Sequence, residues 1–179
     1  AIAALRERVR GEPGRKHEVD LTYVTARGRW YAYSWKGDEK KSGGIATNIG
    51  VHFFDMLHYI FGALHDSKVH VAEPERAAGW LEYEHARVRW FLSVDAADLP
   101  DLANASGQRT FRSITVDGEE IEFSGGFADL HDRSYELILA GRGFGLEDSR
   151  CAIETVAAIR TARPVGAVGD CHPLAARPR

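Results

Sequence analysis

The chain has 179 residues, of which 44% are apolar and 27% charged, and a net charge of −3. That length fits one domain with a buried core. The charge argues against nucleic acid as a partner, because such binding rests on surplus Lys and Arg.

No apolar run reaches the roughly 18 residues that a membrane-spanning helix needs, and no membrane partner is expected. The first ten residues are too charged for a signal-peptide core. Cys151 and Cys171 stand at no zinc-site spacing to another Cys or His, and they read as reduced thiols of a cytoplasmic protein. Ala1 opens directly on a helical pattern (Ile2, Leu5, Val9) without a capping residue, so further chain is expected upstream.

Gly11 to Gly14 breaks that helix. His17 to Thr25 alternates Val19, Leu21 and Tyr23 with polar neighbours, as a half-buried strand does. Arg27 to Arg29 reads as a turn, Trp30 to Trp35 as an aromatic extended segment, and Lys36 to Ser42 as a polar loop. Ile45 to Gly62 carries the clearest helical periodicity, through Ile49, Phe53, Met56 or Leu57, and Ile60, with Gly62 as its stop.

Strands are predicted over 68–72, 77–83 and 87–94, then a loop over 96–108. Strands over 109–116 and 120–123 flank Asp117-Gly118, a pair suited to a type I′ hairpin turn. Helices follow over 130–139 and 146–160, and residues 164–179 read as a loose Pro/Ala-rich tail. The predicted fold class is α+β: an open, mostly antiparallel sheet with helices packed on one face, a domain over 1–163 and a tail over 164–179.

Chemistry concentrates between Lys40 and Asp55. Asn48, His52 and Asp55 lie at i, i+4 and i+7, on the helix face opposite Ile49, Phe53 and Ile60. Lys40, Lys41 and Gly43-Gly44 precede the helix start, where anions are favoured, and Thr47 is placed to cap or line that entry. A His on a polar helix face can exchange a proton near neutral pH. The same stripe also suits a plain solvated helix face, and the chain holds 8 His in all. Arg27, Arg29, Tyr31, Tyr33 and Trp35 could meet a phosphate and a stacking base, or form a surface packed on a partner subunit.

These residues resemble the Gfo/Idh/MocA oxidoreductase family. Its C-terminal domain carries a Gly-Gly segment, then a helix with Asp-x-x-x-His followed by Asp. Here the corresponding run is Gly43-Gly44, Asn48-Ile49-Gly50-Val51-His52 and Asp55. Tyr135 to Gly143, with Glu147-Asp148 and the terminal helix, resembles the family's closing region, so the likeness spans residues 1 to 163. The central motif looks most like the WlbA/WbpB-type branch, which oxidises C3 of UDP-N-acetylglucosaminuronic acid in lipopolysaccharide O-antigen synthesis.

The resemblance implies His52 as the proton-transfer residue. Asn48 would orient it or touch the sugar, Asp55 would stand behind them, and Lys41, Arg29 and Tyr33 would bind substrate. It also implies a homo-oligomer, dimer or tetramer, through the sheet face. Exposed Trp80, Val88, Trp90 and Leu92 would support an oligomerisation or binding module without catalytic residues of its own as the alternative reading, and a dehydrogenase of another sugar or polyol is the other alternative. Asn48 replaces the family's commoner Asp, and it can orient His52 but cannot raise its basicity as a carboxylate does.

The family's Gly-x-Gly-x-x-Gly and its Glu-Lys-Pro segment are both absent from this sequence. Gly141-Arg142-Gly143-Phe144-Gly145 lacks the third glycine at the right spacing and follows a helical pattern. NAD is therefore expected in the complete enzyme, on a separate N-terminal Rossmann half, and none bound to this chain. The isolated chain is expected to be inactive. A metal-dependent site using His52 and Asp55 lacks an evident third ligand, and no metal is expected.

Overall fold

A computed structural model describes residues 1–121 and 130–177. Helix α1 (Ile2–Arg10) leads into strand β1 (His17–Thr25). Two short helices, α2 (Arg29–Tyr33) and α3 (Glu39–Ser42), precede a π turn at Ala46–Gly50 that runs into α4 (Val51–Phe61). Strands β2 (Leu64–Ala72), β3 (Arg76–Tyr83) and β4 (Ala86–Ser93) form a meander. A 3-10 turn and α5 (Asp101–Ala105) then lead to the hairpin of β5 (Thr110–Val116) and β6 (Glu119–Ile121). Helices α6 (Leu130–Leu139) and α7 (Leu146–Thr161) follow.

Among the described residues, six strands form one open sheet in the order β2-β3-β4-β1-β5-β6. Only the β1–β4 pair is parallel, with Leu21 opposite Trp90; the other four pairs are antiparallel. The expected α+β class therefore holds. The hairpin turns at Asp117 (φ 52°) and Gly118 (φ 84°), the two left-handed positions that a type I′ turn requires. Residues 122 and 123 of the last predicted strand lie outside the described residues.

The main core lies between the sheet and α1, α4 and α7. Val19 and Leu21 of β1, and Val88, Trp90 and Leu92 of β4, meet Phe54, Leu57, Ile60 and Val156 there. Val88, Trp90 and Leu92 are thus wholly buried, contrary to the expectation that they would be exposed for oligomerisation. Of that set only Trp80 faces the other side, in register between Lys68 and Arg89.

The Gly79 position fixes part of this core. A Cβ there would come within 2.3 Å of the Lys68 carbonyl and 2.7 Å of the Trp90 ring. Trp90 fills the space left free and meets Phe54 edge-on, with centroids 5.4 Å apart. Phe54 in turn lies against Gly50, where a Cβ would come within 2.8 Å of its ring.

Three stretches depart from expectation. Residues 30–33 are helical rather than extended, because Gly28 (φ 70°) turns the chain away from the sheet. The Ser34 amide and hydroxyl then close on the carbonyls of Trp30 and Tyr31. The polar loop ends in α3, whose Asp38 side chain caps it by accepting from Lys40 N at 3.0 Å.

The tail is not loose. Val165 N and Gly166 N donate to the carbonyls of Val69 and His70, and the chain then crosses the sheet face opposite the helices. Ala175 joins Val24, Ala78, Phe91 and Leu99 in a second small core there. Arg89 grips Asp20 with two bonds of 2.6 and 2.7 Å and reaches Asp170 of the tail at 3.3 Å. No helix among the described residues is long and apolar enough to cross a membrane.

Candidate functional site

The helical register at the site is set by two glycines and a threonine. Gly43 and Gly44 both take positive φ (76° and 78°), which L side chains rarely adopt. Thr47 Oγ1 donates to the Gly43 carbonyl at 2.7 Å, which holds its hydroxyl proton within the turn. The helix then opens as a π turn, a distortion frequent at functional sites. Gly50, an isolated glycine inside a helical pattern, was the one sequence signal for this irregularity.

His52 and Asp55 line one open hollow, bounded by Tyr59 of α4 and by Phe144, Asp148 and Cys151 at the start of α7. His52 is exposed, and no hydrogen bond or ion pair engages it among the described residues. Beneath the rim, His58 Nε2 lies 2.8 Å from the Thr155 hydroxyl, which donates to the Cys151 carbonyl. Burial lowers the His58 pKa below its ordinary value, while the charge of Asp55 pulls it back upward. Asp55 therefore acts electrostatically on His58, a residue the sequence reading had not singled out.

Asn48 faces a different neighbour from the one expected. Its Nδ2 donates to the Tyr31 hydroxyl at 3.2 Å, and no orienting bond runs from Asn48 to His52 among the described residues. Tyr31 also lines a second hollow with Arg27, Arg29, Tyr33 and Asp95. Arg29 and Tyr33 are thus brought together on α2, with 3.5 Å between guanidinium and phenol. Lys41 belongs to neither hollow; it is exposed and pairs with Asp38 at 3.4 Å.

Among the described residues, no three His, Cys, Asp or Glu side chains converge to hold a metal ion. The Gly141–Gly145 segment joins two helices instead of leaving a strand, and Asp148 accepts from Gly145 N at 2.6 Å. It does not form the strand–turn–helix that cradles a dinucleotide.

The fold is an open mixed sheet with helices on one face, and the candidate site is a His-bearing helix after a Gly-Gly turn. Residues 6–120 match the model of the oxidoreductase family C-terminal alpha/beta domain, and the chain belongs to this Gfo/Idh/MocA family.

The chain is similar to the WlbA (WbpB) dehydrogenase from Thermus thermophilus, solved with NAD and alpha-ketoglutarate. Identity is 51% and the TM-score 0.90, over 96% of this chain and 56% of that one. The same enzyme in complex with NAD and UDP-GlcNAcA gives 51% identity and a TM-score of 0.89, over 96% and 55%. The WlbA dehydrogenase from Bordetella pertussis shares the fold, at 16% identity and a TM-score of 0.63, over 90% and 56%. The chain thus spans little more than half the length of these relatives.

Proposed function

We propose that this chain is the substrate domain of an NAD-dependent dehydrogenase that oxidises the C3 hydroxyl of UDP-N-acetylglucosaminuronic acid in lipopolysaccharide O-antigen synthesis. The observation that carries this reading is the 51% identity, over 96% of the chain, to a WlbA dehydrogenase solved with NAD and UDP-GlcNAcA. Exposed His52, free of competing partners among the described residues, is in keeping with it.

Oxidation of a secondary alcohol removes a hydride from carbon and a proton from oxygen. In the complete enzyme NAD would supply the hydride acceptor, and the residues holding it would lie in the part of the relatives' length that this chain does not span. His52 takes the hydroxyl proton through a ring nitrogen, assisted by a lysine from that other half. Asn48 touches the sugar beside it. Asp55 sets the field around the histidines, and Arg29, Tyr33 and Lys41 bind the diphosphate and the sugar carboxylate.

Exposed Tyr135, Ile138 and Leu139 of α6, with Phe144 and Leu146 beyond it, are in keeping with a further domain packing there. The reading includes a cytoplasmic homo-oligomer, dimer or tetramer, assembled through the sheet face that carries Trp80.

The test is NADH formation by the complete enzyme from the UDP-sugar acid and NAD, comparing wild type with His52→Ala and His52→Asn. A loss of roughly 10²–10⁴-fold in both variants is expected, the usual size of a general acid–base contribution. Turnover that survives both substitutions removes His52 from the chemistry. No NADH from wild type with this sugar removes the substrate assignment. The 179-residue chain alone is expected to give no turnover.

A further inference from the structure

We infer that Tyr31 is a positioning residue: its hydroxyl fixes the side-chain amide of Asn48 and so couples the arginine-lined hollow to the helix that carries His52. The inference rests on the dehydrogenase reading for its kinetic consequence alone; the contact itself is independent of any substrate.

Asn48 lies in a π turn and is only partly buried, so without a partner its amide could take more than one orientation. The bond from Nδ2 to the Tyr31 oxygen, at 3.2 Å, selects one. With that nitrogen committed, the amide oxygen remains available as an acceptor. The phenol proton remains available for donation, and Tyr31 also lines the hollow shared with Arg27, Arg29 and Tyr33.

Tyr31 can serve as a fixed post because its surroundings allow little movement. Its side chain is 6% exposed, and the Trp30 ring meets it edge-on at 5.9 Å. Its amide donates to the Gly28 carbonyl. Its carbonyl accepts from both the amide and the hydroxyl of Ser34. The chain returns at Gly37 so close that a Cβ there would meet the Tyr31 carbonyl at 2.6 Å and Ala32 Cα at 2.8 Å. Those are backbone atoms and cannot give way cheaply. The segment between β1 and α4 thereby fixes the backbone that carries Tyr31, and among the described residues the phenol's side-chain hydrogen bond goes to the residue four positions before His52.

The chain contains two asparagines, Asn48 and Asn104, so asparagine-selective isotope labelling yields two side-chain amide signals. Asn48→Ala assigns them. In Tyr31→Phe the Asn48 amide signal is expected to move and its protons to exchange faster with solvent, while Asn104 stays unchanged. An Asn48 signal indifferent to Tyr31→Phe overturns the inference.

In the complete enzyme, Tyr31→Phe is expected to lower kcat/KM about 5-fold, the worth of one ordinary hydrogen bond. The Tyr31→Phe, Asn48→Ala double variant is expected to lose no more than Asn48→Ala alone, with the unfolding midpoint of Tyr31→Phe unchanged. Additive losses mean that Tyr31 acts apart from Asn48 and overturn the inference. Failure of the wild-type enzyme to oxidise the sugar counts against the dehydrogenase reading, and the amide signal then decides the positioning role by itself.

Discussion

His172 Nε2 lies 3.0 Å from the hydroxyl of Thr22, joining positions 150 residues apart in the chain. The other ring nitrogen, Nδ1, accepts from Leu174 N at 3.2 Å, so the ring is neutral with its proton on Nε2, donating to Thr22. The ring also stacks on Phe91, with centroids 5.6 Å apart. One buried imidazole thereby pins the C-terminal segment to the sheet.

His172→Ala is expected to destabilise the fold by about 2 kcal/mol, through the lost buried hydrogen bonds and ring contact. The same variant should free residues beyond Pro164 for protease. Urea unfolding and limited proteolysis check both, and a variant as stable and as resistant as wild type would contradict the pinning.

Stability should also depend on pH through the same residue. Burial lowers the His172 pKa from 6.5 to about 4; the Asp20 carboxylate opposes this and the Arg89 charge adds to it. Above the unfolded value both states are neutral and the group contributes nothing. Between pH 6.5 and about 4 the unfolded chain binds a proton that the folded chain refuses, so stability falls as pH falls. The loss is at most on the order of 3 kcal/mol. His58 and His70 are displaced in the same direction, also by burial first. Denaturation followed from pH 7 to pH 4 should show the decline, and His172→Phe should flatten part of it.

Gly79→Ala should cost about 3 kcal/mol, because the added methyl meets a strand carbonyl that cannot move and the buried Trp90 ring. The disturbance should travel through Trp90 and Phe54 to the π turn. Unfolding measurements give the first effect, and the Asn48 amide signal reports the second.

Tyr83→Phe should leave stability unchanged or raise it by about 1 kcal/mol. The Tyr83 hydroxyl is buried without a hydrogen-bond partner among the described residues, and burial raises its pKa. The ring's edge contact with His58, at 5.0 Å, is kept by Phe. A clear destabilisation would mean that the hydroxyl has a partner.

In the complete enzyme, Arg29→Ala and Lys41→Ala should raise KM for the UDP-sugar by about 10-fold each while changing kcat little, as loss of uniform binding does. Unchanged KM in either would remove that residue from substrate binding. Lys41 would first leave Asp38, an exposed pair worth under about 1 kcal/mol.

Much of the local structure was legible because each signal there is local. The spacing of Ile49, Phe53 and Ile60, the alternation in His17 to Thr25, and Asp117-Gly118 each specify an element from neighbouring residues alone. The candidate His52 motif is a local pattern of the same kind, since Asn48, His52 and Asp55 lie within two turns. Tertiary structure decided the rest. Trp30 to Trp35 reads as a strand by composition, yet the turn at Gly28 precedes a short helix over Arg29–Tyr33. The Pro/Ala-rich tail lacks an apolar period, and it is ordered by distant partners: Val69 and His70 for Val165 and Gly166, Thr22 and Phe91 for His172, and Arg89 for Asp170. Parallel pairing of β1 with β4, and the reach of Tyr31 to Asn48, join segments far apart in sequence. Such contacts depend on which faces the whole core buries, and no short window of residues encodes that.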